Sequence, residues 1–279
     1  MEKLKVGIVG ATGMVGQRFL TLLDDHPYFE VTALIASPSS AGKTYEEALN
    51  GRWKMTTPIP EKAKSMIVID SSKIDEIKPL VDMVFCAVNM PKADTKALEI
   101  AYAQAEIPVV SNNSANRGEA DVPMVIPEIN DAHLEIIEAQ KKRLGTKRGF
   151  IAVKPNCSIQ SYVPALTPLL KYKPTQVLAT TYQAISGAGK TFNEWPEILD
   201  NVIPFIGGEE EKSEKEPLKI WGKVEDGVIV SAEEPVISAQ CLRVPVSDGH
   251  MASVSVKFKN KPTKEETHPS SVTSWAGEL

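Results

Sequence analysis

The stretch GIVGATGMVG (7–16) constrains the fold of this chain more than any other. It joins an apolar run, LKVGIVG (4–10), to MVGQRFLTLLDDHP (14–27), where Val15, Phe19, Leu22 and Leu23 recur at helical spacing and Pro27 closes the pattern. Gly10, Gly13 and Gly16 stand in a GxxGxxG spacing. Gly10 suits a tight turn, Gly13 lets a backbone approach a pyrophosphate, and Gly16 lets the helix pack closely on a sheet. The helix N-terminus then meets phosphates with free N–H groups and the positive end of its dipole. Three glycines could serve a tight turn alone, but the strand before and the helix after favour a dinucleotide site.

The alternation continues. FEVTALIAS (29–37), MIVIDSS (66–72), MVFCAVN (83–89) and IPVVSNN (107–113) read as strands, and KADTKALEIAYAQAE (92–106) as a helix. Apolar strands alternating with helices predict a doubly wound α/β fold whose parallel sheet is covered on both faces. After residue 150 the pattern changes. In HMASVSVKFK (250–259), His250, Ala252, Val254, Val256 and Phe258 share one face and polar residues hold most of the other, as in a half-buried antiparallel strand. The boundaries read 1–150 for a dinucleotide domain, 151–264 for an α+β domain with a largely antiparallel sheet, and 265–279 for a tail. GGEEEKSEKEPLK (207–219) reads as a charged, loop-like insert, and SIQSYVPALTPLL (158–170) as a helix.

The end of the second strand selects the dinucleotide. An NAD site places an acidic residue there to hold the ribose 2′-hydroxyl. TALIASPSSAGKTY (32–45) instead offers Ser37, Ser39, Ser40 and Lys43, which suit a 2′-phosphate, so NADP is the expected cofactor. Cofactor contacts are expected from these four residues, from Thr12, Met14 and Val15 with the three glycines, and from Ser186 and Gly187 further on.

Cys157, in AVKPNCSIQS (152–161), stands apart from Cys86, which reads as a buried apolar residue. Pro155 disfavours helix before it, and a thiol at a helix N-terminus has its thiolate stabilised. A nucleophile needs a proton acceptor. His26, His133 and His268 have structural readings; His250 opens the apolar face of a strand, seven residues after Arg243, which could clamp a carboxylate bidentately. The net charge of −5 excludes a nucleic-acid-binding character. The three widely spaced cysteines form no CxxC pair and no metal-ligand cluster, which points to a reducing, cytoplasmic setting with no metal. No run of about 18 apolar residues suggests a membrane span.

GIVGATGMVG, SNNSANR (111–117), KPNCS (154–158), TYQAISGAG (181–189), EPLKIWG (216–222) and RVPVSDGH (243–250) occur in this order, and together they resemble aspartate-semialdehyde dehydrogenases of the archaeal and fungal-like branch. The resemblance runs from residue 4 to about 264. It implies a Rossmann-type domain followed by a catalytic and dimerisation domain, and NADPH-dependent reduction of aspartyl-4-phosphate to the semialdehyde through a cysteine thioester. It makes Cys157 the nucleophile, His250 the acid–base residue, and Gln183 the residue that orients the acyl intermediate. It places Arg243 on the substrate α-carboxylate, Glu216 on its amino group, and Lys219, Arg117 and Asn116 around phosphate. Asn156, beside the thiol, would help form an oxyanion site. A homodimer or homotetramer of the full-length form is implied, with no metal.

Two other acyl reductases on this scaffold stay open: an N-acetylglutamyl-phosphate reductase, which Glu216 disfavours, and a malonyl-CoA reductase. So does a protein that holds NADP without turnover. EETHPSSVTSWAGEL (265–279) has no counterpart in that resemblance, whose members continue further. The expectation is a shortened second domain, an exposed groove on the first, and weak or no activity for this chain alone.

Overall fold

The computed structural model describes residues 2–267. His268 and the rest of the tail lie outside the described residues. The chain divides into two compact units, Met1–Pro123 with Leu134–Lys154, and Met124–His133 with Pro155–Leu279.

The first unit is built on six parallel strands: β1 (Leu4–Val9), β2 (Phe29–Ala36), β3 (Val68–Asp70), β4 (Met83–Cys86), β5 (Val109–Ser111) and β6 (Ile151–Val153). Their order is β3-β2-β1-β4-β5-β6, so the strand order reverses between β1 and β4, where α/β sheets bind ligands. Val6, Ile8, Leu34 and Val68 are buried on this sheet with Leu20 from the helix Met14–Leu23 and Tyr45 and Leu49 from Tyr45–Leu49. Strand β6 was not legible: three residues give no periodicity. Because it joins the parallel sheet, the first unit runs to Lys154 rather than 150, and 124–133 goes with the second unit.

The basic segment 141–148 is pinned at its end. The helix Ile137–Leu144 ends on Gly145 in the left-handed region, and the backbone N–H groups of Lys147, Arg148 and Gly149 all donate to the Glu106 carboxylate. These three donors hold the Glu106 pKa at about 2, against an ordinary value of 4.5. A carboxylate whose pKa is depressed on folding contributes stability in full above pH 4.5, and loses it as pH falls toward about 2. Glu106→Gln is therefore expected to lower the urea midpoint at neutral pH and to narrow its deficit against wild type at pH ~3. A deficit independent of pH would show that the carboxylate charge plays no part.

The second unit carries a three-stranded mixed sheet, with β7 (Pro174–Gln183) between β10 (Val236–Arg243) and β11 (Met251–Phe258); β8 (Lys223–Glu225) and β9 (Val228–Val230) form a separate hairpin. β11 runs antiparallel to β7 and alternates as its sequence predicts, but β10 runs parallel to it. The three-stranded sheet thus holds one antiparallel and one parallel pair, and the separate hairpin is antiparallel.

Two local expectations are corrected. Residues 158–170 are not one helix but a 3-10 turn Ile159–Ser161, a short helix Val163–Leu166 and a further 3-10 stretch Thr167–Tyr172. Pro164 and Pro168 supply no N–H, so a continuous ladder cannot form. Conversely, the charged insert is a helix, Glu209–Ile220. Its Ser213, Glu216, Pro217 and Ile220 are buried at helical spacing, and three glutamates in its first turn complement the helix dipole. Pro217 removes the hydrogen bond to the Ser213 carbonyl, which accepts instead from the Tyr162 hydroxyl at 2.8 Å. Glu210 and Glu214 accept from the backbone N–H groups of Cys241 and Ala239, so this helix caps edge strand β10.

Candidate active site

In the first unit, Gly10 has φ +90, and a Cβ there would lie 2.4 Å from the Ala87 carbonyl oxygen. A Cβ on Gly16 would lie 2.2 Å from the Gly10 oxygen. Both positions therefore demand glycine, one for its turn and one for close packing. Gly13 caps the helix Met14–Leu23 without a side-chain bond, and that first turn holds no acidic residue. Thr12, Met14 and Val15 complete the loop; Gln17, buried beneath it, donates to the carbonyls of Thr12 and Arg52. At the end of β2 the Ser37 and Ser39 hydroxyls are 2.9 Å apart and Lys43 Nζ reaches the Ser39 carbonyl at 2.8 Å. Ser40 is buried in the same turn, its N–H donating to the Ser37 carbonyl at 3.0 Å. A phosphate-sized anion finds helix N–H groups, hydroxyls and an ammonium here, and no carboxylate at the end of β2, which fits NADP.

A cavity of about 210 Å³ opens beyond β4 and β5, lined by Val88, Asn89, Thr95 and Asn113 among others. Motif reading did not mark Val88 and Asn89, whose only signal is their place just after a strand at the reversal point. A larger cavity of about 300 Å³, between Leu23, Asp25, Phe29 and Met66, holds no motif residue. Asn116 and Arg117 follow β5. Asn116 is buried and donates at 2.6 Å to the buried Glu99 carboxylate, which also takes the Ser111 hydroxyl at 2.5 Å and the Asn113 amide at 3.1 Å. Arg117 donates to the Asn112 carbonyl at 3.0 Å. Glu99 thus organises the SNNSANR loop, and nothing in a helical sequence reveals that. Cys86 is buried behind it, and burial pushes its thiol pKa up.

In the second unit, the ends of three strands converge. Gln183 closes β7 and pairs in register with Arg243, which closes β10; His250 precedes β11, whose Met251 pairs with Tyr182. Cys157 is exposed, and its Sγ lies 3.1 Å from His250 Nε2. The backbone N–H of Ala184 donates to His250 Nδ1 at 3.0 Å. A backbone N–H only donates, so Nδ1 accepts and the neutral ring carries its proton on Nε2, facing the sulfur. The Arg243 Nη1 atom donates to the Ala184 carbonyl at 2.7 Å. A Cβ on Gly187 would meet Arg243 Nη1 at 2.8 Å and His250 Cε1 at 3.0 Å, which places this glycine, and Ser186 beside it, against the cluster.

Asn156 and Glu216 are also brought in. The Asn156 backbone N–H donates to Glu216 Oε2 at 2.6 Å, and its Oδ1 accepts from the Ser158 N–H and hydroxyl, both at 2.8 Å. Lys219 sits one turn beyond Glu216, buried in the same helix. A residue that motif reading missed joins them: Glu209 accepts from the side-chain amides of Asn156 and Gln183 and from Lys212. Burial raises the Glu209 pKa, but the Lys212 ammonium and the two amides outweigh it and hold the carboxyl below its usual range. His133, read as structural, is buried between Asn130 and the Gly222 carbonyl. Among the described residues no group of three or more His, Cys, Asp or Glu side chains is placed to hold a metal, and no helix is long and apolar enough to cross a membrane.

Comparison with known proteins gives two family matches: "Semialdehyde dehydrogenase, NAD binding domain" over residues 5–137, and "Semialdehyde dehydrogenase, dimerisation domain" over 166–272. The chain is 45% identical over 268 residues to the aspartate-semialdehyde dehydrogenase of Saccharomyces cerevisiae, covering 92% of this chain and 72% of that protein. It is 44% identical over 263 residues to that of Methanothermobacter thermautotrophicus, again covering 92% of this chain and 72% of the relative. The crystal structure of aspartate semialdehyde dehydrogenase with NADP from Candida albicans superposes with a TM-score of 0.83 at 39% identity, over 95% of this chain and 75% of that one.

Proposed function

The chain belongs to the aspartate-semialdehyde dehydrogenase family, and we propose that it reduces L-aspartyl-4-phosphate to L-aspartate-4-semialdehyde, with release of phosphate, through a thioester on Cys157. The observation that carries this reading is the Cys157–His250 pair at 3.1 Å, with Arg243 and Gln183 at the adjoining strand ends.

Cys157 attacks the acyl carbon as a thiolate; the new C–S bond forms as the C–O bond to phosphate breaks. Arg117 and Lys219 supply cations for the departing phosphate. The Arg243 guanidinium is rigid and forked, and suits the substrate α-carboxylate; Glu216 suits its ammonium. NADP, held by the Gly10–Gly16 loop and by Ser37, Ser39 and Lys43, supplies hydride in its reduced form. His250 Nε2–H is aimed at the sulfur side of the reacting carbon. There it stabilises the alkoxide that follows hydride addition, and collapse of that alkoxide breaks the C–S bond to release aldehyde and thiolate.

Assembly as a homodimer, or a tetramer of such dimers, is supported by the open face of the second unit's sheet. Leu178, Val236 and Met251 are exposed there, with Leu242 and Tyr182 in register beside Met251. Three free thiols suit the reducing cytoplasm. The reading is tested by following reduced nicotinamide with aspartate semialdehyde, phosphate and NADP. Turnover is expected to require phosphate and to favour NADP over NAD by about tenfold or more, a 2′-phosphate worth roughly 1.4 kcal/mol. Phosphate-independent turnover, or a preference for NAD, would contradict it.

A further inference from the structure

Tyr45 is fully buried in the core of the first unit, and its hydroxyl reaches from that core to the glycine loop, where it donates to the Ala11 carbonyl at 2.7 Å. The backbone that carries it is fixed. The Tyr45 N–H donates to the Met66 carbonyl at 2.8 Å, and Thr44 and Glu47 form a capping box over the first turn of the helix Tyr45–Leu49. Burial pushes the phenol pKa up, so the hydroxyl stays a donor. A trans peptide points its C=O and its N–H in opposite directions. Holding the Ala11 oxygen toward Tyr45 therefore turns the Thr12 N–H away from the core.

The next peptide is tied at both ends. Its Thr12 carbonyl accepts from Gln17 Nε2 at 3.0 Å, and its Gly13 N–H donates to the Gly10 carbonyl at 3.0 Å. The Ala11–Thr12 peptide has no such pair. Among the described residues nothing accepts from the Thr12 N–H, and Thr12 is only half-buried, with Gly13 beyond it exposed. The orientation of this peptide rests on Tyr45. Inverting it would set a carbonyl oxygen where the N–H stands, and a carbonyl oxygen repels a diphosphate. Resting on the NADP reading above, we propose that Tyr45 is a positioning residue that holds the Thr12 N–H outward as a hydrogen-bond donor to the cofactor diphosphate. It acts through the loop and touches no ligand, because its hydroxyl is committed to Ala11 and its ring is sealed in the core.

The turn that carries Ser37, Ser39 and Lys43 ends just before Tyr45. A hydroxyl with a purely structural part would therefore serve the 2′-phosphate end as much as the loop, and ligands of different reach separate the two. Tyr45→Phe removes the hydroxyl and keeps the ring. Its Kd for NADP, by titration calorimetry, is expected to rise about tenfold, the scale of one buried hydrogen bond. Its Kd for NAD should rise by the same factor, since both carry the diphosphate. Adenosine 2′-monophosphate carries the 2′-phosphate and no diphosphate, and should bind wild type and variant alike. Tyr102→Phe is the matched control. It loses the hydroxyl bond of another buried tyrosine, to the Ser71 carbonyl at 2.9 Å, and should keep wild-type affinity for NADP. A second measurement needs neither turnover nor NADP: on titration with inorganic pyrophosphate, the Thr12 amide signal in ¹⁵N–¹H spectra should move in wild type and stay still in Tyr45→Phe. If wild type fails to bind NADP, the functional reading fails, and the pyrophosphate titration still decides the part played by Tyr45. An unchanged Kd for NADP in Tyr45→Phe, equal weakening of NADP and adenosine 2′-monophosphate, or a Thr12 signal that moves alike in both proteins would each overturn the proposal.

Discussion

Cys157→Ser is expected to lower kcat for phosphate-dependent oxidation of aspartate semialdehyde by about a thousandfold or more, as loss of a covalent nucleophile does elsewhere. The substitution is nearly isosteric, and Cys157 is exposed, so the fold has no reason to suffer. What changes is the chemistry: a hydroxyl stays protonated at neutral pH, whereas a thiol beside His250 Nε2–H at 3.1 Å can work as a thiolate. Denaturant midpoints should match wild type and NADP should still bind, because the nucleotide loop lies in the other unit. Steady-state kinetics with a melting curve check this. A serine variant retaining a tenth of wild-type kcat would remove Cys157 from the mechanism.

Gly16→Ala is expected to destabilise the first unit by roughly 3 kcal/mol, at the upper end of overpacking costs. Its methyl would lie 2.2 Å from the Gly10 oxygen and 2.7 Å from the Ala11 Cα. Both are backbone atoms, so no side chain can swing aside. The informative partner is Gly13→Ala. There the nearest atom is 3.4 Å away, an ordinary contact, and φ is −78, open to any residue. Gly13→Ala should therefore melt like wild type yet bind NADP more weakly, because its methyl stands where backbone approaches the pyrophosphate. Thermal melts with and without NADP separate the two effects. Equal destabilisation by both substitutions would mean that the loop is structural and not a nucleotide cradle.

The parts of this molecule that were legible from sequence share a physical cause: a local pattern matched the final environment. The glycine loop is one, because steric demand at Gly10 and Gly16 admits one residue type. Strand β11 is another, since its period-two alternation survives in its burial. The parts that were not legible depend on partners distant in sequence. The helix Glu209–Ile220 looks like a solvated run until edge strand β10 offers N–H groups to Glu210 and Glu214 and Tyr162 satisfies the carbonyl orphaned by Pro217. The 158–170 pattern had helical apolar spacing, and two prolines broke it. As a result Cys157 precedes a 3-10 turn, and its activation rests on His250 more than on a long helix dipole. Strand β10 takes its parallel direction from the connections around it, which residue alternation does not encode. In the site, Cys157, His250 and Arg243 could be picked out by type and spacing. Glu99 and Glu209 could not, because a glutamate in a helix reads as surface until the amides it holds are placed beside it.

The central claim is a covalent acyl-enzyme on Cys157, and the most direct measurement is a rapid-mixing experiment with aspartate semialdehyde and NADP in the absence of phosphate. The account predicts a burst of about one reduced nicotinamide per chain, with an aspartyl adduct on the Cys157 peptide by mass spectrometry, discharged when phosphate is added. Steady formation of reduced nicotinamide with no burst, or an adduct on a residue other than Cys157, would contradict it.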